Sequence, residues 1–195
     1  MSVSRLLDTT IRIVLAPGAI ANLSASASRA LGAVAPDALI LDVGCGFLSP
    51  LNFANFHTIG VDINPDRARA HAGPAAVAAD ATALPFADAS FGVVASMGLL
   101  HHLDDSQARQ AIAEMARVAG PSGAVAICDA VRPVSALRRP FAALIRSLDF
   151  GRHMRDEVGL RALFGDEAAW RFERMTYAAT GLEGLWCLRR KEAEE

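Results

Sequence analysis

Short apolar runs bounded by glycine, proline or an acid recur along the first two thirds of the chain. Residues 39–43, 59–62, 75–79, 91–95 and 124–130 each form such a run. Runs this short and this apolar fit inner strands of a parallel sheet better than surface helices. Between them the spacing changes to that of a helix. Ser49-Pro50 reads as an N-cap with proline at the first helical position, and the helix it opens must be very short before the second strand. Asn64-Pro65 opens the next helix, which ends near Gly73-Pro74. Asp104 and Asp105 begin a well-marked helix in which Ala108, Ala111, Ile112, Met115 and Val118 fall on one stripe. Arg109, Glu114 and Arg117 lie off that stripe, and Gly120-Pro121 ends the helix. Strands alternating with helices at this pitch predict an α/β fold with a parallel sheet and right-handed crossovers.

The two ends of the chain differ from this middle. Residues 4–16 and 19–34 read as two helices broken at Pro17-Gly18, so 1–34 forms an N-terminal helical cap. After the last parallel strand, 133–150 and 157–164 read as helices, which makes 133–165 a helical insertion. Residues 171–178 and 185–190 read as two strands joined through Thr180-Gly181, an antiparallel pair at one edge. Neither an internal repeat nor a low-complexity linker is visible. The expectation is a single domain over 1–195 with its core at 37–131 and a C-terminal hairpin near 171–190.

Composition narrows the function classes. The 195 residues are 52% hydrophobic and 21% charged, enough for a sizeable core and incompatible with global disorder. Nineteen Lys+Arg against 21 Asp+Glu leave a net charge of −2, so there is no global basic field and no nucleic-acid partner is expected. The clusters Arg138-Arg139 and Arg189-Arg190-Lys191 read as solvated helix and tail ends, and His153 between Arg152 and Arg155 as an exposed basic turn. Cys45, Cys128 and Cys187 each sit in an apolar run without a Cys-x-x-Cys pair. That pattern predicts neither a disulfide framework nor a metal site, and points to a reducing, cytoplasmic compartment. No signal peptide is seen, and the absence of a run of about 18 apolar residues argues against a membrane span. The mean hydropathy of +0.28, raised largely by alanine, leaves contact with an apolar substrate or a membrane surface open.

The chemistry gathers at strand ends. In an open α/β sheet, ligands bind outside the carboxyl ends of the strands. Four such ends carry polar or permissive residues: Asp42-Val43-Gly44-Cys45-Gly46, Asp62-Ile63-Asn64, Asp80-Ala81-Thr82 and Ser96-Met97-Gly98. The glycines let backbone turn sharply and approach a ligand closely. Asp42 ends a buried strand and needs a partner, which a cationic ligand or backbone N–H groups would supply. Asp62 stands 18 residues beyond Gly44, where a carboxylate can accept both hydroxyls of a ribose. Asp80 and the Ala81 N–H can hold an adenine edge.

This ordered set resembles the class I S-adenosylmethionine-dependent methyltransferases. The segments that carry the likeness are Leu-Asp-Val-Gly-Cys-Gly at 41–46, Val-Asp-Ile-Asn-Pro at 61–65, Ala-Asp-Ala-Thr-Ala-Leu-Pro-Phe at 79–86 and Leu-Leu-His-His-Leu at 99–103. Glu-Met-Ala-Arg-Val at 114–118 and Gly-Pro-Ser-Gly at 120–123 follow the same branch, the small-molecule methyltransferases that include those of quinone biosynthesis. The resemblance covers roughly 37–131. It implies a Rossmann-like three-layer sandwich with a seven-stranded, mostly parallel sheet of order 3-2-1-4-5-7-6, the final hairpin supplying strands 6 and 7. It also implies S-adenosyl-L-methionine as cofactor. Asp42, Gly44, Cys45 and Gly46 would surround its methionine moiety, Asp62 its ribose and Ile63 its adenine. Asp80 and Ala81 would contact the adenine edge, and Ser96 and Met97 would face the methionine amino group. Two features depart from the family pattern. Leu48 stands where a third glycine is usual, and the segment from Asp42 to Asp62 is shortened, trimming the first helix.

The resemblance implies methyl transfer to a small-molecule acceptor. A phenol or hydroxyl acceptor needs a base, for which His101 and His102, after the fourth strand, are the candidates. Asp104 and Asp105 read as helix caps. Two other classes compete: a non-catalytic binding or scaffold protein that kept the fold, suggested by Leu48 and the short helix, and an NAD-dependent oxidoreductase. The loop lacks the Gly-x-Gly-x-x-Gly of the latter. Acceptor identity, the atom methylated and oligomeric state are not written in the sequence.

Overall fold

The computed structural model describes residues 18–31, 38–54, 56–135, 137–147 and 151–189. The helix expected over 4–16 lies outside them, as do 32–34 of the second expected helix. Seven strands form one sheet: β1 (Leu39–Val43), β2 (His57–Asp62), β3 (Ala75–Ala78), β4 (Val93–Met97), β5 (Ala124–Val131), β6 (Trp170–Thr176) and β7 (Glu183–Arg189). Their order is β3-β2-β1-β4-β5-β7-β6, and only β7 runs antiparallel to its neighbours. The carboxyl ends of β1 to β6 therefore lie along one edge, and the start of β7 joins them there.

Strict alternation along the central strands builds two apolar layers. Ile40, Val93, Ala95, Ala126, Cys128, Trp186 and Leu188 face one side, where helix α1 (Ala19–Ala30) brings Ala27 and, one residue beyond it, Leu31. Their neighbours Leu41, Val94, Val125, Ile127, Leu185 and Cys187 face the other side. There, helix α4 (Asp105–Ala119) lays down the stripe Ala108, Ala111, Ile112, Met115 and Val118. Both faces are covered, which is why these strands read as unbroken apolar runs. The outer strand β6 carries Arg171, Glu173 and Arg174 among its seven residues, charges that blunt an open edge.

Local signals explain the remaining elements. Ser49 caps the four-residue helix α2 (Pro50–Phe53), with Pro50 at its first position. Asn64 caps α3 (Pro65–Arg69), accepting from the backbone of Asp66 and Arg67. Asp104 and Gln107 form a reciprocal capping box at the start of α4. Glu114 and Arg117, off the apolar stripe, reach back to the loop after β3. Glu114 accepts from the Leu84 N–H at 2.8 Å, and Arg117 donates to the carbonyls of Phe86 and Leu84.

Some boundaries moved. The fourth strand runs two residues later than expected, over Val93–Met97. Phe91 lies ahead of it, edge-on to Phe86 at 5.0 Å between ring centroids. The helix expected over 133–150 is shorter: α5 spans Pro140–Ser147, and 148–150 lie outside the described residues. Proline disfavours helical backbone in the residue before it, so Pro140 can open this helix but not lie inside it. The helix expected over 157–164 is the single-turn α6 (Glu157–Arg161), capped by Asp156.

Candidate active site

The glycine loop after β1 is held from the side by β2. The N–H groups of Gly44 and Cys45 both donate to the Val61 carbonyl, at 2.7 and 3.0 Å. Asp62 completes the clamp: its carboxylate accepts from the Gly46 N–H at 3.0 Å and the Asn64 N–H at 2.9 Å. Gly44 sits at φ 77° and Gly46 at φ 58°, in the left-handed region. A Cβ at Gly44 would also lie 3.1 Å from Leu99, whereas one at Gly46 would meet nothing within 4 Å. Gly44→Ala is therefore expected to destabilise the protein by roughly 1–2 kcal/mol, read as a lower thermal midpoint. An unchanged midpoint would mean that the loop relaxes to another conformation.

Asp42 lies beneath this loop, 1% exposed. Ser49 hydrogen-bonds it, while its Oδ2 has no protein partner. Burial, only partly offset by Ser49 and reinforced by the charge of Asp62, pushes its pKa up to about 7. The folded state thus holds a proton that the unfolded chain loses near the ordinary value of 3.8. Stability from this group is complete below that value and is lost as pH rises to about 7, by up to ~4 kcal/mol. Asp42→Asn is expected to flatten that slope in urea unfolding across the window. A mutant as pH-dependent as the wild type would place the titration elsewhere.

The other sites named from the sequence fall as follows. Cys45 is 3% exposed, and burial followed by the charges of Asp42 and Asp62 pushes its thiol up to about 12, so it stays protonated and inert as a nucleophile. Ile63, beside Asp62, is 70% exposed, a large apolar side chain laid open at the sheet's edge. Asp80 is exposed and turns the chain by accepting from the backbone and hydroxyl of Thr82, with Ala81 half-buried between them. Ser96 is fully buried and its hydroxyl donates to the Val43 carbonyl at 2.7 Å, tying β4 to β1 under the loop. Met97, half-buried, ends β4 opposite Cys128.

The two histidines occupy different surroundings. His102 is exposed. His101 is buried, and its Nδ1 lies 2.6 Å from Oδ1 of Asp129. Asp129, near the carboxyl end of β5, is 2% exposed and also accepts from the N–H groups of Leu100, His101 and Ala130. Burial alone would raise its pKa, but the charge of His101 and these hydrogen bonds outweigh burial and hold the carboxyl below its ordinary value. An ionised carboxylate can only accept, so Nδ1 carries the proton toward Asp129 and Nε2 is the ring nitrogen left to exchange a proton with another group. The ring is flanked by Gly98, whose Cβ would lie 3.6 Å from Cε1, and by Gly151, whose Cβ would lie 2.4 Å from Cδ2.

Asp129 was missed in the reading of the strand ends. The signal was present: it is a fourth acid near the carboxyl end of an apolar strand. Arg155 was also misjudged. It does not belong to an exposed basic turn; its side chain is 10% exposed. It donates to the carbonyls of Leu100 and Leu103 and pairs with Asp105 at 2.7 Å, while the His153 N–H donates to the His101 carbonyl. The segment after α5 thus pins the histidine turn, and Asp105 serves as its anchor rather than as a cap.

With this geometry in view, likeness to known proteins becomes informative. Residues 41–127 match the family described as Methyltransferase domain. Over that segment, a little under half of the chain, the sequence is similar to methyltransferase domains. Its sequence is 40% identical over 99 residues to Probable tRNA methyltransferase 9B of Homo sapiens, covering 47% of this chain. It is 50% identical over 62 residues to Demethylmenaquinone methyltransferase of Mycobacterium marinum, covering 31% of this chain. These matches span only 21% and 26% of the two relatives' own lengths. In fold it is similar to magnesium protoporphyrin IX methyltransferase of Synechocystis, solved with bound S-adenosylhomocysteine. That likeness has a TM-score of 0.64 at 18% identity, over 89% of this chain and 84% of the other.

Methyltransferase domains of this class take S-adenosylmethionine, and the residues present fit it. The orphaned Oδ2 of Asp42 calls for a cationic partner, such as the cofactor's ammonium group. Space lies open on the Gly46 side of the loop, and Ile63 offers an apolar surface for a flat base. Asp62 keeps acceptor capacity beyond its two backbone donors, enough for ribose hydroxyls.

Proposed function

We propose that this protein transfers a methyl group from S-adenosylmethionine to a small, apolar acceptor that gives up a proton, with His101 as the base. The observation that carries the reading is the buried Asp129–His101 pair, set beside the glycine loop through Leu99. S-adenosylmethionine, when bound, supplies an activated methyl group on a sulfonium centre. The chain's work is then positional. Asp62, Gly44 and Gly46 hold the cofactor, Asp42 meets its ammonium group, and Asp129 fixes the imidazole so that Nε2 can take a proton from the acceptor. What supports an apolar acceptor is the net charge of −2, the likeness to a demethylmenaquinone methyltransferase, and the exposed apolar side chains of the segment after β5. The relative named for tRNA favours a second reading, methylation of RNA.

One experiment separates the two readings. The purified protein is incubated with methyl-tritiated S-adenosylmethionine and either an organic-solvent extract of cells or total tRNA. Label is expected in an organic-soluble product and is expected to vanish in His101→Gln. Label in acid-precipitable RNA would establish the second reading, and label in neither would leave a scaffold. A further expectation concerns protons. If the cofactor's ammonium group meets Asp42, binding near neutrality releases the proton that burial had kept on this carboxyl. Calorimetry in two buffers of different ionisation enthalpy reads that release. Equal heats in both buffers would exclude the contact.

A further inference from the structure

We propose that the face formed by residues 132–147 seats the protein on an anionic lipid bilayer. The apolar pattern of α5 is inverted. Its inward side is built from Ala142, 1% exposed, and Ile145, packed with Ala19, Ala178 and Leu182. Its larger side chains point outward: Phe141 is 70% exposed and Leu144 57%. In the turn that precedes the helix, Leu137 is 96% exposed and Val134 83%. Four large apolar side chains laid open within eleven residues exceed the scatter of single exposed ones on an ordinary surface.

The charges on this stretch are of one sign. Residues 132–147 hold Arg132, Arg138, Arg139 and Arg146 and no acid. Arg139 is turned inward, bonded to the Thr176 hydroxyl and the Gly181 carbonyl and paired with Glu183 at 3.3 Å. Arg132 and Arg138 are exposed and make no ion pair among the described residues. Of the acids near Arg132 and Val134, Glu157 pairs with Arg174 and Arg161, Glu183 with Arg174 and Arg139, and Glu167 with Arg161, while Asp156 caps α6 through the Gly159 N–H. Aliphatic and aromatic side chains flanked by Arg132 and Arg138, both exposed and without an ion pair among the described residues, match the boundary between acyl chains and anionic headgroups. RNA would engage the arginines but gain little from Val134 and Leu137. A second copy of this face would oppose arginine to arginine.

Placement gives the contact a use. The segment leaves the carboxyl end of β5 and packs on the turn between β6 and β7, along the edge where the candidate active site opens. A bilayer held there would present lipid-dissolved molecules to that edge. The surface contact itself does not depend on the identity of the acceptor.

Vesicle flotation tests the proposal. The protein is mixed with phosphatidylcholine vesicles or with vesicles in which part of the lipid is phosphatidylglycerol. Co-flotation is expected with the phosphatidylglycerol vesicles only. Phe141→Glu and Leu137→Glu are each expected to reduce the bound fraction at least fivefold, and Arg138→Glu at least twofold. Both apolar positions are exposed, and unchanged S-adenosylhomocysteine binding verifies folding. No flotation with phosphatidylglycerol vesicles, or flotation undiminished in Phe141→Glu, would overturn the proposal. So would retention of RNA on filters that is lost in Arg138→Glu but kept in Leu137→Glu, or a lipid-free dimer in sedimentation that Phe141→Glu dissolves.

Discussion

Replacing Asp62 with alanine is expected to weaken S-adenosylhomocysteine binding by at least about a hundredfold, ~2.7 kcal/mol. Two effects combine. The carboxylate accepts from two backbone N–H groups of the site itself, those of Gly46 and Asn64. Its loss leaves both without that acceptor and releases the Gly46 end of the loop, while Gly44 and Cys45 stay bonded to the Val61 carbonyl. The proposed ribose acceptor disappears with it. Asp62→Asn keeps the shape and one acceptor oxygen, so its loss should be intermediate. Calorimetric titration measures both, with a thermal melt to show that the fold survives. Unchanged affinity in Asp62→Ala would move the cofactor away from this loop.

The second large effect is expected at Asp129. Asp129→Asn should lower kcat for methyl transfer about 10²–10³-fold, as loss of an oriented general base does. The affinity for S-adenosylhomocysteine should change less than about twofold, because in the proposed function Asp129 acts through the imidazole and not on the cofactor. His101→Gln should cost a similar factor, and the double variant little more than either, if the two side chains act as one unit as proposed. A merely structural role predicts another pattern. Cofactor affinity and thermal midpoint would fall together, and the two losses would add. Single-turnover rates at saturating cofactor distinguish the cases.

The amino-acid pattern carried most of the architecture. Period-two alternation with both faces apolar defined the inner strands, and the stripe from Ala108 to Val118 defined α4 and the side it covers. Asp104, Asn64 and Ser49 marked helix starts because capping is a local bond between a side chain and a backbone two or three residues away. The strand-end acids pointed to the edge where ligands bind, since chain direction in a parallel sheet brings equivalent ends together. Boundaries near proline were less legible. The stretch 133–150 reads as one helix, but among its described residues only Pro140–Ser147 is helical.

What the sequence could not determine depends on groups far apart in the chain. Asp129 and His101 are 28 residues apart and meet only because β5 lies beside β4. Arg155 reaches Leu100 across 55 residues, so its guanidinium reads as surface charge until the return segment is placed. The proton on Asp42 depends on burial and on the nearness of Asp62, neither of which spacing reveals. The outward face of α5 is of the same kind. Its periodicity allows either side to be buried, and packing against Ala19, Ala178 and Leu182 selected the alanine side. Local bonds and periodicity are written along the chain, whereas burial and long-range pairing exist only once the sheet has assembled.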